Sequence, residues 1–215
     1  MRAFFDSVRA SFGPLSQDQV DGFNVLVPAV KDLPVMHAAY ILATAWHETA
    51  RTMQPVKEAY WKGEDWRKAN LRYFPWYGRG YVQLTWATNY RKAGAAIGVD
   101  LIADPDRAMV PANAAKIIVR GMTEGWFTGK KMADYNDYVD MRRVVNGTDK
   151  ASVIAGYAKA FEKALLAQAK ADLPVSMPDT SPMNAPLVKV LAALVAASAA
   201  VAAAIAALQN YLQGN

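Results

Sequence analysis

Two glutamates, Glu48 and Glu58, have the residue type and spacing to do chemistry together. Glu48 closes an apolar segment, and Glu58 lies beyond Pro55, which is expected to end the helix that carries Glu48. The two carboxyl groups are therefore expected at one wall of a cleft. Such a pair can hydrolyse a glycosidic bond, with one acid protonating the leaving oxygen and the other carboxylate activating water or attacking directly.

The surroundings of the two glutamates indicate different roles. Glu48 follows Trp46 and His47 in an otherwise apolar segment, a setting that favours a protonated carboxyl group and suits a general acid. Glu58 is the more solvent-exposed candidate for the second role, in which Glu64 and Asp65 compete with it on sequence distance. The alternative is that each glutamate is merely a solvated or ion-paired residue at a helix end.

A metal site finds little support in the sequence. His47 and Glu48 begin the pattern of a zinc protease, but Arg51 stands where that pattern requires a second histidine. The other histidine, His37, is expected on a different face of the same helix, and there is no cysteine. We therefore predict no metal and no cofactor, and we expect His47 to pack or hydrogen-bond beside the cleft.

A second informative segment, Tyr73 to Tyr90, is dense in aromatic residues. Its glycines at positions 78 and 80 allow the backbone to approach a ligand closely. Its polar side chains match the hydroxyl and acetamido groups of sugars, and they are Arg79, Gln83, Thr85 and Asn89. The alternative is an aromatic core or interface; the glycine spacing matches no dinucleotide or phosphate loop.

The elements that must position these residues are predicted to be mainly α-helical. Apolar periodicity and proline positions predict three strong helices, over Val35–Met53, Pro111–Glu124 and about Asp149–Lys170. Thr148 or Asp149 is the expected cap of the third. The one convincing strand is Gly80–Thr85.

The charge and composition of the chain indicate which kinds of molecule it could bind. The chain carries 24 Lys and Arg against 19 Asp and Glu, and its net charge of +5 favours an anionic polymer or membrane surface. On charge alone, nucleic acid, anionic lipid and bacterial wall all stay open. Without cysteine no disulfide framework is expected, and residues 1–13 lack the continuous apolar stretch of an export signal. Synthesis in a bacterial cytoplasm is compatible with both features.

The carboxyl-terminal part of the sequence changes character twice. We predict a catalytic domain over residues 1–171 and an extended linker over 172–186, where a proline recurs at every fourth position from Pro174. Residues 187–212 are predicted to form a hydrophobic helix, and the uncharged run 190–208 is about as long as a bilayer core is thick. An inner-membrane anchor is our interpretation. The alternative is an alanine-rich helix packed on the enzyme or on a second copy.

The anchor hypothesis predicts that the full chain floats with membranes and that a truncation after Pro186 does not, because only the former contains the uncharged run. Membrane flotation of the two proteins is the measurement. Equal recovery of both in the soluble fraction contradicts an anchor.

Taken together, these segments resemble the family 19 glycoside hydrolases, the chitinase-like group that includes plant chitinases and many phage endolysins. The resemblance spans roughly residues 35–166 and rests on a series of short motifs. In chain order these are His47-Glu48, a second glutamate at Glu58, Tyr77–Gly80, Gln83–Thr85, Asn89-Tyr90, Ile97–Leu101, Asp104-Pro105 and Asn146-Gly147.

The resemblance implies a lysozyme-like helical fold with a short β element and an inverting mechanism without a metal. It implies that Glu48 is the general acid, Glu58 the general base, and Thr85 the hydroxyl that holds the attacking water. The residues that it places along the sugar groove are Tyr77, Arg79, Gln83, Asn89 and Asn146, and His47 is expected beside them.

Two departures from the plant pattern affect the substrate prediction. The two glutamates are closer in sequence than in plant chitinases, as in the phage enzymes, and Thr148 to Lys150 replace a further glycine and a glutamate. We therefore predict an endolysin, a lysozyme-like muramidase that acts on peptidoglycan in the periplasm and does not bind nucleic acid. The alternatives are a chitinase of the same fold and a catalytically inactive, membrane-tethered wall-binding protein.

Overall fold

The computed structural model describes residues 1–173, and these residues form seven α-helices and one short two-stranded antiparallel β-sheet. The helices are α1 Arg2–Phe12, α2 Gln17–Val30, α3 Val35–Glu48, α4 Glu64–Asn70, α5 Ala87–Ile97, α6 Pro111–Glu124 and α7 Ala151–Asp172. The strands are β1 Val56–Lys57 and β2 Arg79–Gly80, and short 3₁₀ turns cover Pro105–Met109, Met132–Asp134 and Asp140–Val144. The predicted mainly α class with a short β element is confirmed.

Helix α3 forms the centre of the core. Every residue from Ala38 to Trp46 is buried, as expected of a helix that is apolar on all its faces. Helix α7 packs along α3 and also covers α1. Five aromatic side chains lock these helices and α2 together through ring contacts, and they are Phe4, Phe12, Phe23, Trp46 and Phe161.

The end of α3 corrects the predicted helix Val35–Met53. The helix stops at Glu48, where the Arg51 amide donates to the Trp46 carbonyl at 2.8 Å and the Ala50 amide donates to His47. This pair of bonds is a Schellman closure, which normally has glycine in the left-handed position. Ala50 occupies that position with φ 50° and Arg51 follows with φ 69°. A tight turn, and not Pro55, therefore ends the helix.

The two-stranded β-sheet corrects the predicted strand Gly80–Thr85. Val56 pairs with Gly80 and Lys57 with Arg79 in antiparallel register, so only the first residue of the predicted strand belongs to the ladder. The chain then turns back on itself, because Arg79 and Leu84 exchange both of their backbone hydrogen bonds. Gln83 closes this turn with φ 53°.

The start and end of α7 fall near their predicted positions. Lys150, with φ 57°, precedes the helix and no side chain caps it, so the predicted cap at Thr148 or Asp149 is wrong. Asp172, the first residue of the predicted linker, is still helical. The rest of that linker and the predicted helix over 187–212 lie outside the described residues. Within residues 1–173, no helix is long and apolar enough to cross a membrane.

The packing of α2 on the turn after α3 predicts an unusual response to alanine. A Cβ at Gly22 would lie 1.9 Å from the Met53 carbonyl oxygen, whereas a Cβ at Gly156 of α7 would meet nothing within 4 Å. Gly22→Ala is therefore expected to lower the free energy of unfolding by about 1–3 kcal/mol, the usual cost of overpacking. Gly156→Ala, the matched control, is expected to raise it by about 1 kcal/mol. Urea unfolding measures both; stabilisation by both substitutions would contradict the close contact.

Candidate active site

Glu48 and Glu58 line one open cavity of about 240 Å³. Glu48 reaches it from the last turn of α3, and Glu58 from the residue that follows β1. We call it the central cavity, and its other polar or aromatic lining residues are His47, Thr49, Lys57, Tyr60, Trp61 and Gln83. The structure thus brings the two carboxylates of the sequence hypothesis to one site.

Glu48 has a cationic neighbour that the sequence did not indicate. Arg142 donates from Nη1 to Glu48 Oε1 at 2.8 Å, and its side chain is 4% exposed. The 3₁₀ turn Asp140–Val144 carries Arg142, whose Nε donates to the Asp149 carbonyl. The surroundings of Glu48 are therefore not the purely apolar ones that the sequence predicted, because a buried guanidinium from far along the chain contacts its carboxylate.

Glu58 is held by two donors, one on each carboxylate oxygen. The Tyr73 hydroxyl donates to Oε1 at 2.6 Å, and the Gly78 amide donates to Oε2 at 2.9 Å. The Glu58 amide in turn donates to the Gly78 carbonyl. Burial, together with the adjacent Glu58 carboxylate, raises the pKa of Tyr73 to about 12, so Tyr73 keeps its proton and donates throughout the neutral range.

Glu64, the competitor for the second role, lies elsewhere. It begins α4, where its carboxylate accepts from the Tyr77 hydroxyl at 3.0 Å and from Arg67 Nη1 at 3.1 Å. Glu64 does not line the central cavity. The geometry therefore favours Glu58 as the partner of Glu48.

Thr85 lines a second cavity of about 360 Å³, here called the Thr85 cavity. Gln83 lines both cavities, and Tyr73, which bonds Glu58, lines the second. The Thr85 hydroxyl donates to the Gln83 carbonyl at 2.8 Å, which leaves its oxygen lone pairs to accept a hydrogen bond. Asn89 and Asn146 also line this cavity.

Tyr77 and Arg79 do not reach either cavity. Tyr77 is fully buried, and the Arg79 guanidinium stacks 3.7 Å from its ring centroid. Arg79 is 3% exposed and donates to Asp106, to the Tyr90 hydroxyl and to the backbone carbonyls of positions 75 and 77. The structure therefore places both residues beneath the groove, where they hold the Tyr77–Gly80 segment in position.

The buried cation Arg79 shares Asp106 with a second cation, Lys57. Lys57 Nζ donates to Asp106 Oδ2 at 2.7 Å, and Arg79 Nε donates to Oδ1 at 2.8 Å. Burial acts to raise the pKa of the Asp106 carboxyl, but the bonds from Lys57 and Arg79 outweigh it and leave the pKa below its usual value. Asp106 therefore fastens β1 and β2 to the 3₁₀ turn Pro105–Met109.

His47 lies between the central cavity and a third one of about 360 Å³. Burial lowers the pKa of His47, and the neighbouring Glu48 carboxylate does not compensate, so the imidazole is neutral at neutral pH. Residues 1–173 contain no cluster of three or more His, Cys, Asp or Glu side chains that could hold a metal ion.

Exposed aromatic side chains lie along the first two cavities. Tyr60 and Trp61 of the central cavity are 59% and 71% exposed, and Trp86 of the Thr85 cavity is 44% exposed. Large exposed aromatic surfaces are characteristic of binding sites, and these rings can stack on the apolar faces of sugars. Tyr60 and Trp61 were not among the residues predicted from the sequence, although they lie two and three positions after Glu58.

Comparison with known proteins gives one consistent picture. The family model described as chitinase class I, for glycoside hydrolase family 19, matches residues 43–155, more than half of the chain. Rice (Oryza sativa) chitinase 8 is 43% identical over 53 residues, which are 25% of this chain and 18% of that protein. Basic endochitinase B of Arabidopsis thaliana is 44% identical over 55 residues, 26% of this chain and 16% of that protein. The matched regions thus span less than a fifth of these plant proteins.

Solved structures show the same fold over a longer stretch. Chitinase C of Streptomyces griseus superposes with a TM-score of 0.54 at 21% identity, covering 74% of this chain and 75% of that one. A bacterial family 19 chitinase gives 0.55 at 23% identity, covering 74% and 93%. The class IV chitinase of Zea mays gives 0.51 at 22%, covering 77% and 92%. These likenesses confirm the predicted lysozyme-like helical fold.

Proposed function

Because the chain belongs to glycoside hydrolase family 19, the chitinase class I family, we propose that it hydrolyses the glycosidic bonds of bacterial peptidoglycan. The observation that carries the proposal is the central cavity, which is lined by Glu48 and Glu58 together. Hydrolysis by two carboxylates requires one that gives a proton and one that takes one. The hydrogen bonds of Glu48 suit the role of proton donor, and those of Glu58 suit the role of proton acceptor.

Glu48 acts as the general acid in this proposal. Arg142 holds Oε1, so Oε2 is left to carry the proton and deliver it to the leaving glycosidic oxygen. The Glu48 carboxylate that forms is stabilised by the buried Arg142 guanidinium at 2.8 Å, because a charge that is already held in position needs no reorganisation as the negative charge develops.

Glu58 acts as the general base. Its two donors, Tyr73 and Gly78, favour the ionised carboxylate and fix its orientation. A water molecule between Glu58 and Thr85 transfers one proton to Glu58. Its other hydrogen stays on the water oxygen and forms a hydrogen bond to the Thr85 hydroxyl oxygen. Its oxygen attacks the anomeric carbon as the bond to the leaving sugar breaks, so the configuration inverts. Proton NMR of the first product tests this step, and retention of the anomeric configuration contradicts it.

The bond from Tyr73 makes a prediction about the base. Tyr73→Phe removes the 2.6 Å donor to Glu58 but keeps the ring against Trp86. We expect kcat to fall by about tenfold with little change in KM, since a hydrogen bond to a charged group is worth about 1.5–3 kcal/mol. Steady-state kinetics on solubilised glycan strands measure both constants. A raised KM at unchanged kcat contradicts a role through Glu58.

Peptidoglycan is favoured as the substrate by charge and by the spacing of the glutamates. The chain has a net charge of +5, which attracts the anionic wall polymer, and its short Glu48–Glu58 spacing resembles that of phage enzymes. The proposed role is that of an endolysin, made in the bacterial cytoplasm and acting on the wall in the periplasm. Chitin is the second candidate, because the relatives in both comparisons carry the name chitinase.

Digestion of purified murein sacculi and of chitin oligomers separates the two candidates. The peptidoglycan proposal expects soluble muropeptides from murein, and mass spectrometry of their new reducing ends identifies the bond that is cut. A muramidase leaves N-acetylmuramic acid at that end. Cleavage of chitin oligomers alone supports the chitinase, and sedimentation with murein without any cleavage supports an inactive wall-binding protein.

A further inference from the structure

The third cavity, beyond His47, contains a cation that is not needed for the steps described above. This cavity of about 360 Å³ is lined by His47, Ala50, Arg51 and Tyr157, and we call it the Arg51 cavity. His47 and Ala50 also line the central cavity. The Arg51 cavity therefore adjoins the central cavity, which contains Glu48 and Glu58.

Arg51 is held in place without being neutralised. Its Nη2 donates to the Tyr157 hydroxyl at 2.9 Å, and its guanidinium carbon lies 5.5 Å from the centroid of the same ring. Within residues 1–173 it forms no ion pair, whereas Arg67, Arg79 and Arg142 each pair with a carboxylate. A guanidinium that is oriented by a neutral hydroxyl keeps most of its donors for an incoming anion.

The backbone that carries Arg51 is constrained in a costly conformation. Ala50 and Arg51 both have positive φ, and Gln19 Nε2 bonds the Arg51 carbonyl at 2.9 Å. Left-handed conformations of residues other than glycine cost on the order of 1 kcal/mol or more and concentrate at ligand sites. His47 is neutral, so Arg51 supplies the positive charge of this cavity.

We propose that the Arg51 cavity is a subsite that binds a carboxylate of the peptide attached to the muramic acid of peptidoglycan. This proposal rests on the proposed function and extends it to the basis of substrate choice. Chitin carries no such carboxylate, so the subsite distinguishes a peptide-bearing glycan from a bare one. Planar guanidinium groups suit carboxylates because two parallel hydrogen bonds can form.

The test compares two forms of the same murein glycan, intact strands and strands whose peptides have been removed by an amidase, which leaves only the lactyl carboxylate on each muramic acid. Arg51→Gln is expected to lower kcat/KM on intact strands by about tenfold, the usual scale for one charged hydrogen bond, and to leave it within about twofold on stripped strands. Tyr157→Phe is expected to cost about threefold on intact strands, because the guanidinium loses its orienting hydroxyl. Arg51→Lys keeps the positive charge but cannot form two parallel hydrogen bonds. Its kcat/KM on intact strands is expected to lie between those of wild type and Arg51→Gln.

Lys159→Gln is the matched control, since it removes an exposed cation two residues from Tyr157 on α7. It is expected to behave as wild type on both substrates. The proposal is overturned if Arg51→Gln loses equal activity on both strands, which indicates a role that does not depend on the peptide carboxylates, or loses none on either. If wild type cleaves neither strand, the proposed function itself fails. Equal unfolding midpoints of the variants establish that they fold.

Discussion

Replacing Glu48 or Glu58 by glutamine is expected to lower kcat for murein hydrolysis by at least about 10²-fold, because a general acid or base contributes roughly 10²–10⁴-fold. Glutamine keeps the shape of the side chain, so wall binding and KM are expected to change little. Both residues line the central cavity, but they are held by different donors, Arg142 for Glu48 and Tyr73 for Glu58. The decrease in kcat of each variant is measured by the turbidity loss of permeabilised Gram-negative cells and by the release of reducing ends from murein.

Glu64→Gln is the control for these two substitutions. Glu64 is a similar carboxylate in the same part of the chain, but it is bonded to Tyr77 and Arg67 and does not line the central cavity. We expect Glu64→Gln to retain most of the wild-type turnover. A fully active Glu58→Gln beside an inactive Glu64→Gln would show that the base has been assigned to the wrong residue.

Arg79→Met is expected to lower the free energy of unfolding by about 3 kcal/mol, at the lower end of the cost of breaking a buried ion pair. The midpoint of thermal unfolding is then expected to fall by on the order of 10 °C. Arg79 is 3% exposed, but its partner Asp106 is 54% exposed and retains its ion pair with Lys57. The decrease in the free energy of unfolding is therefore smaller than for a fully buried pair. Differential scanning calorimetry measures the change.

Two comparisons distinguish a structural role of Arg79 from a direct contact with the substrate. Arg143→Gln breaks an ion pair whose partners are 44% and 50% exposed, and it is expected to cost about 0–1 kcal/mol. A direct sugar contact, as the family resemblance implies for Arg79, predicts instead a raised KM at unchanged stability. If Arg79→Met unfolds at the wild-type temperature and binds glycan poorly, Arg79 contacts the substrate.

Much of the helical architecture was predictable because apolar patterns and punctuating residues act locally. Pro111 begins α6 and Glu124 ends it, as predicted, since proline suits a first turn and Gly125 takes the left-handed closing position with φ 74°. The end of α3 was not predictable in the same way. Ala50 adopts a conformation that its residue type disfavours, and contacts such as the Gln19–Arg51 bond hold it there.

In the candidate site, too, some features were predictable from local sequence and others depended on tertiary contacts. The residue types and short spacing of Glu48 and Glu58 predicted a hydrolytic site, because this chemistry requires two carboxylates whatever fold carries them. The role of Thr85 came only from the family resemblance. The sequence could not separate Glu58 from Glu64, nor sugar contacts from buried supports such as Arg79. That distinction depends on which way a side chain points after β1 and β2 have paired.

The sequence by itself thus determined the helical class, the family and the pair of carboxylates, since each of these is written in short-range patterns of residue type. Only the tertiary structure decided that Arg142 meets Glu48, that Tyr73 holds Glu58 and that Tyr157 holds Arg51. Two of these contacts join residues 94 and 106 positions apart. They form only when α7 and the turn before it pack against the end of α3, and no local pattern specifies which distant side chain that packing brings within reach.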